Sequence, residues 1–359
     1  MSRYPKLTRT QVDEIQQQLD ALRDEVRADL GERDAQHIRS MVKRARMNAI
    51  AGRSLLMFGF GPISWVAGVA ALAHAKILDN MEIGHNVMHA QYDWMNDPTL
   101  DSQTFEWDNV CLSEQWRHSH NYMHHTYTNI LGIDKDVGYG LLRVDDQQRW
   151  KPKHIIQPVS NALLSALFQW GVGIHDVDWG GYLKGRVSHA EFKAQMSPFL
   201  KKAGKQLFKD YVFFPALALW NAPRVFAGNL VANLARNVWS NVIIFCGHFP
   251  EGSRVYTQEE TRNETRGDWY IRQMSGSANL EGSKAFYILT GHLSHQIEHH
   301  LFPDIPAHRY PEMAPRVRAI CEKYGLHYNS GSFWKQYGSV LKGLIRRSLP
   351  TRAPHPALA

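Results

Sequence analysis

Cysteine is scarce in this chain. Cys111, Cys246 and Cys321 are its only three among 359 residues, with no CxxC pair, so neither an iron–sulfur cluster nor an even disulfide framework is expected. Long unbroken apolar runs are also missing. The stretches 47–60, 63–78, 155–174, 211–222 and 225–247 are each shorter or more interrupted than the roughly 20 apolar residues of a bilayer-spanning helix. A mean hydropathy of −0.39 would by itself suit a soluble helical protein. The opening MSRYPKLTRTQVDEIQQQLD carries no apolar signal region, so secretion is not expected. No HExxH zinc-protease helix and no GxGxxG dinucleotide turn occurs. Two ExxH elements would mark a ferritin-like carboxylate di-iron bundle, and the chain has one, Glu82 to His85.

What the chain has in excess is histidine, 19 residues in all. His120-Asn121-Tyr122-Met123-His124-His125 and His295-Gln296-Ile297-Glu298-His299-His300 both read HxxxHH, a pattern due about 0.05 times by chance at this histidine content. His85-Asn86-Val87-Met88-His89 adds a further i,i+4 pair. Residues four apart share a helix face, so each pair can direct two imidazoles at one point. Imidazole selects zinc, copper, iron or nickel over calcium and magnesium, which need oxygen ligands. Eight imidazoles (His85, His89, His120, His124, His125, His295, His299, His300) exceed one tetrahedral ion. Two ions held close together fit better, with iron the choice for a shared redox task. Spacing leaves zinc and copper open. His37, His154, His189, His308, His327 and His355 are expected to be ordinary. His118 falls about 200° from His120 on a helix and is set aside, whereas His292 could share the face of Gln296 as an outer neighbour. The net charge of +7 suits an anionic membrane surface or an acidic ligand such as a CoA ester. The basic residues are dispersed and no nucleic-acid motif accompanies them, so no nucleic-acid partner is expected.

The segments MEIGHNVMH, HSHNYMHH and GHLSHQIEHHLFP resemble, in order, the three histidine boxes of the integral-membrane fatty acid desaturases. The likeness spans roughly residues 45 to 330 and is strongest to actinobacterial acyl-CoA Δ9 (stearoyl-CoA) desaturases, through QIEHHLFP above all. The resemblance adds His248 in NVIIFCGHFP as an upstream ligand. It also places a ligand at Gln296 or at the neighbouring His295, since related enzymes begin the last box with histidine where Gln296 stands. Those enzymes carry asparagine where this chain has Ile244. The implied metal set is therefore His85, His89, His120, His124, His125, His248, His295, Gln296, His299 and His300, holding two iron ions with O2 as cosubstrate. The di-iron centre itself is the catalyst, and no separate acid or base residue is expected. Asp134, Asp136, Asp108 and Glu298 are candidates to orient the imidazoles from outside. The chain has no HPGG haem segment, so electrons would come from a separate donor, a ferredoxin or a flavin-dependent NADPH reductase. The implied substrate is a fatty acyl-CoA with a saturated C16 or C18 chain, desaturated at Δ9. Two alternatives remain: a hydroxylase on the same scaffold, and a non-catalytic membrane protein that binds metal.

The expected fold is all-α: an integral-membrane helical protein with two transmembrane hairpins and a cytosolic helical cap that holds the dimetal site. Residues 1–44 would form an N-terminal cytosolic or interfacial helix. The desaturase domain would run over 45–347, and 348–359, rich in Pro and Ala, would be a disordered tail. Boxes one and two lie at 81–125 and the last box in the cap, 248–347. For all three to face the cytosol, an even number of crossings must separate them. Gly59-Phe60-Gly61-Pro62 breaks 45–79 into one hairpin, and a turn near Asn221-Ala222-Pro223 breaks 207–247 into the other. The basic segment within 151–206 stays cytosolic by the positive-inside rule, with 155–174 lying against the membrane face or the catalytic domain. The implied location is the cytoplasmic membrane, multi-pass, within the lipid bilayer.

Overall fold

A computed structural model describes residues 7–350. Most of the expected tail, 351–359, lies outside the described residues. The principal helices are α1 (Arg9–Ala28), α2 (Glu32–Phe58), α3 (Gly61–Met88), α4 (113–127), α5 (Gln157–Ala166), α6 (Phe168–Gly173), α7 (His189–Phe208), α8 (Ala222–His248), α9 (Arg266–Gly276), α10 (Gln296–Leu301), α11 (Tyr310–Lys323) and α12 (Phe333–Ser348). The chain is mostly helical, with one short pair of strands among the described residues. Strands β1 (Asn279–Glu281) and β2 (Ser330–Ser332) pair in parallel, Asn279 opposite Ser330. A parallel pair needs a long crossover, and residues 282–329 with α10 and α11 supply it.

The chain divides into two compact units, one of residues 1–34, 122–163 and 242–359, the other of 35–121 and 164–241. In the first, α1 starts at a reciprocal cap between Thr8 and Gln11, and its buried face of Ile15, Leu19 and Leu22 follows the helical repeat. That face packs with Tyr270 and Met274 of α9, Ile297 and Leu301 of α10, and Tyr310, Met313 and Val317 of α11. The N-terminal helix expected over 1–44 is, among the described residues, two helices parted at Asp29–Gly31, and α1 is a core helix. Arg309 fixes the junction, its guanidinium meeting Asp34 at 2.5 and 2.9 Å and Asp29 at 2.9 Å.

In the second unit, Gly61 adopts φ +69° and Pro62 opens α3, so the break expected at Gly59–Pro62 is a sharp turn between antiparallel α2 and α3. The two helices approach closely at Gly52 and Gly68. A Cβ on Gly52 would lie 2.7 Å from the Leu72 nitrogen, and one on Gly68 3.0 Å from a Leu56 side-chain carbon. Asn221 and Arg224 tie the start of α8 to this turn through the Met57 and Gly61 carbonyls, at 2.8 and 2.9 Å.

This unit has inverted polarity. Lys76, Asp210, Asn229, Asn233 and Arg236 are buried, with Lys76 Nζ 2.9 Å from Asp210 and Asn233 donating to Asp210 at 3.0 Å. Exposed outside them are Met47, Ile50, Phe58, Phe60, Ile63, Val66, Phe208, Val212, Phe213, Trp220, Phe226 and Leu230. Among the described residues one helix, Gly61–Met88, is long and apolar enough to cross a membrane. The segments expected to form the second hairpin fall short of that measure because α8 turns Asn229, Asn233 and Arg236 inward.

Candidate metal centre

The histidines gather where regular α-helix gives way. α3 winds as a π-helix over Leu78–Gly84 just before His85, and α4 does so over Arg117–His124. Such insertions recur at functional sites.

In the second unit His85, His89 and His120 face one another, with ring centroids 4.6, 5.3 and 5.2 Å apart. Trp116 stacks on His120 at 4.4 Å and meets His85 and His89 edge-on at 5.3 Å. Asn86 Nδ2 donates to the Glu82 carbonyl at 2.9 Å, which turns its oxygen toward His85 Nδ1, 3.0 Å away. The His85 proton is thereby held on Nδ1, and Nε2 is left as the ligating nitrogen. His37 lies 2.6 Å from Glu82.

The first unit holds a second triangle. His124, His248 and His300 have centroids 4.8, 5.0 and 4.8 Å apart. Their anchoring repeats the same logic. Asp134 accepts from Asn129 N at 2.8 Å and Asp136 N at 2.9 Å, and its carboxylate receives His124 Nδ1 at 3.0 Å. Gln273 donates to the His125 carbonyl at 3.0 Å, so its oxygen receives His300 Nδ1, also at 3.0 Å. Both anchored rings therefore present Nε2, and His300 Nε2 stands 3.4 Å from His248 Nε2. His125 stacks on His300 at 4.5 Å and meets His299 at 4.7 Å. Arg272 secures the end of α4, donating to the Thr126 and Thr128 carbonyls at 2.9 and 2.8 Å while Glu264 holds its other edge.

These triangles pass a simple metal test. Imidazole nitrogens about 2.0–2.1 Å from a tetrahedral ion place ring centroids about 5 Å apart, which is the spacing in both. Neutral imidazoles with Nδ1–H fixed by oxygen acceptors are the form that binds a cation. Burial opposes charging the His124 ring, but the Asp134 and Asp136 carboxylates outweigh it and raise its proton affinity. A proton and a metal ion are drawn to the same place.

The last box divides between its two candidates. Gln296 opens α10, and Gln296 and His300, four apart, share its face. Gln296 Nε2 lies 3.0 Å from His248 Nε2, and its buried Oε1 has no hydrogen-bond partner. Gly247 makes room for it, since a Cβ there would stand 2.8 Å from Gln296 Cγ. His295 precedes the helix with non-helical φ −107°, ψ 58°, so the four-residue spacing to His299 does not carry it to the imidazole group. It rests instead against Tyr287, with burial and His292 pushing its pKa down to about 3. His292 lies buried in the turn before α10, at φ +56°.

Two expected orienting groups are elsewhere. Asp108 serves Lys76, Lys209 and Gln206. Glu298 accepts from Asn279 and Tyr328, both at 2.8 Å, because it projects from α10 away from the imidazoles. Burial pushes its pKa up to about 7. Asp136 stands 3.6 Å from His124, beyond hydrogen-bonding reach. His118, half exposed, meets Asp176 at 2.9 Å. Sequence reasoning missed Trp116, Asn86, Gln273 and Arg272. Of these only Asn86, inside the first box, carried a local signal.

The fatty acid desaturase family model matches residues 61–332, about three quarters of the chain. The chain belongs to the fatty acid desaturase family. Relatives include an NADPH-dependent stearoyl-CoA 9-desaturase of Mycobacterium tuberculosis, 46% identical over 97% of this chain and 83% of its own length. Another is an sn-1 linoleoyl-lipid 6-desaturase of Synechocystis, 30% identical over 75% of this chain and 77% of its own. A third is an acyl-lipid (8-3)-desaturase of Mortierella alpina, 24% identical over 73% of this chain and 61% of its own. As a desaturase the protein is an oxidoreductase of lipid metabolism, and its histidine groups suit a metal site.

Proposed function

We propose that this desaturase acts on fatty acyl-CoA, placing a cis double bond at Δ9 of a saturated C16 or C18 chain. The observation that carries the reading is the pair of imidazole triangles, each with centroids near 5 Å and with Nδ1 atoms anchored by Asn86, Asp134 and Gln273. The Mycobacterium tuberculosis relative, named a stearoyl-CoA 9-desaturase, supports the substrate and the position.

His85, His89 and His120 would hold one iron ion and His124, His248 and His300 another, with His125, His299 and Gln296 completing the set. When bound, the two ions supply the O2-activating redox power that no side chain has. The balance is fixed by the product. The chain gives up two hydrogens, a separate donor provides two electrons, two protons enter, and one O2 leaves as two waters. Within the protein, Asn86, Asp134 and Gln273 hold the Nδ1 side of their imidazoles and aim Nε2 inward, and Arg272 holds the frame of α4 rigid. Trp116 covers the first triangle and limits water there. Electrons come from a separate redox partner drawing on NADPH, in keeping with the name of the relative. The protein sits in the cytoplasmic membrane through hairpins over 45–79 and 207–247, with its histidines toward the cytosol. The apolar exterior of α2, α3, α7 and α8 over a buried polar interior supports that placement.

The test is expression with a redox partner in a desaturase-deficient host, followed by fatty acid analysis with double-bond positions. A new Δ9 monounsaturated acid that vanishes with His300→Ala is the expected result. A hydroxylated product would reassign the reaction, and folded protein with an active partner and no new product would refute it.

A further inference from the structure

Large exposed apolar side chains in the first unit are confined almost wholly to one region. Apart from Tyr122, those among its described residues are Leu141, Ile155, Ile156, Val159, Leu163, Trp334, Ile345 and Leu349. They sit on three neighbouring pieces of chain. Gln157, at the start of α5, donates to the Leu344 carbonyl of α12, and Trp150 donates to the Ser348 carbonyl at 2.9 Å. Lys153 reaches the Gly140 carbonyl beside Leu141.

α12 buries Gln336, Val340, Leu344 and Ser348, a four-residue repeat along one face. Trp334 and Ile345, 11 residues apart, lie on the other, and Leu349 follows just past the helix end in extended backbone; each is more than half exposed. The helix contains Lys335, Lys342, Arg346 and Arg347 and no acidic residue. Two carboxylates meet this basic end: Asp146 pairs with Arg346 at 2.6 Å and Arg347 at 3.6 Å, and Asp145 acts on Arg347. An apolar stripe with tryptophan, on a helix that carries Lys335 and Lys342 beside the paired arginines and no acidic residue of its own, matches the acyl boundary and anionic headgroups of a lipid surface.

We propose that this face, formed by residues 155–163 and the outer side of α12, rests on an anionic lipid surface. It is an interfacial contact additional to any membrane-spanning helix, and the reading of the reaction does not require it. Ile155, Ile156, Val159, Ile345 and Leu349 enter the acyl boundary, while Lys335 and Lys342 remain at headgroup level. The charge on α12 makes the preferred headgroup anionic.

Cys111, Cys246 and Cys321 are all buried, so a cysteine introduced at the surface is labelled selectively. Full-length Ile345→Cys, Val159→Cys and, as a water-facing control, Glu322→Cys carry an environment-sensitive dye in discs of equal phosphatidylcholine and phosphatidylglycerol. Spin-labelled lipid quenches dyes at the acyl boundary. Positions 345 and 159 should be quenched at least about twofold more than position 322. Quenching equal to that at 322 overturns the proposal, as does a dye that is dehydrated yet unquenched, which would mean that protein covers the face. Val66→Cys, on the apolar helix α3, reports membrane insertion separately. Loss of quenching at 66 alone would count against the spanning arrangement and leave the interfacial contact standing.

Discussion

Asp134→Asn is the substitution from which the structure draws the most definite consequence. The Asp134 side chain is 1% exposed and serves three donors, His124 Nδ1, the Asn129 amide and the Asp136 amide. An asparagine keeps one oxygen. The oxygen nearer His124 already receives two of the donors, so the amide nitrogen is forced to the other side, against the Asp136 N–H. One partly buried backbone donor then loses its acceptor, at about 1 kcal/mol, the low end of the range for a buried one. The bond to His124 survives without its charge, and charge-assisted bonds are about twice as strong as neutral ones. Loss of an orienting partner of this type costs about 10–100-fold in metal affinity or activity. The metal-free variant should therefore melt a few degrees below the parent, and bound iron, titrated against a graded chelator, should show a 10–100-fold weaker affinity. The pH profile gives an independent reading. His124 is held at raised proton affinity by Asp134 and Asp136 against the effect of burial, so protons compete with iron as pH falls through that raised value. Removing the Asp134 charge lowers the proton affinity and moves the acid limb of iron binding to lower pH. Iron affinity and acid midpoint both unchanged in a folded variant would refute the assignment of Asp134 to the metal site.

Other substitutions separate roles within the same region. Gln296→Ala should reduce iron content and His295→Ala should leave it unchanged, by metal analysis of purified protein; the reverse result would move the ligand to His295. Glu298 has its pKa raised by burial to about 7 from 4.5. The stability it contributes is fully present below pH 4.5 and lost as pH rises through 7, so Glu298→Gln should flatten that loss and gain at most about 3 kcal/mol at pH 8, read from denaturation at pH 5 and pH 8. Arg272→Ala strips a buried cation from Glu264 and two carbonyls and should cost about 3–5 kcal/mol, visible as a collapsed melting transition. Chelation of iron from the loaded protein should lower the melting temperature, because the stabilisation by bound metal falls with the logarithm of the free metal concentration, and insensitivity to chelator would argue against a metal-linked fold.

The sequence by itself determined where the histidine boxes lie. Histidine count and four-residue spacing marked the boxes because helical periodicity is local, and it brings His85 to His89 without help from distant chain. The break at Gly59–Pro62 was legible for the same reason, since Gly61 and Pro62 act through their own backbone angles. Tertiary structure decided which residues complete the groups. His248 meets His300, 52 residues away, and Gln273 aims His300 from α9; neither pairing leaves a pattern in sequence. Gln296 rather than His295 joins the imidazoles because α10 begins one residue after His295, a boundary set by backbone angles rather than residue type. The apolar exterior was hidden for a related reason. Mean hydropathy averages the inward Asn229, Asn233 and Arg236 with the outward Phe226 and Leu230 of one helix, and only packing assigns each to its side.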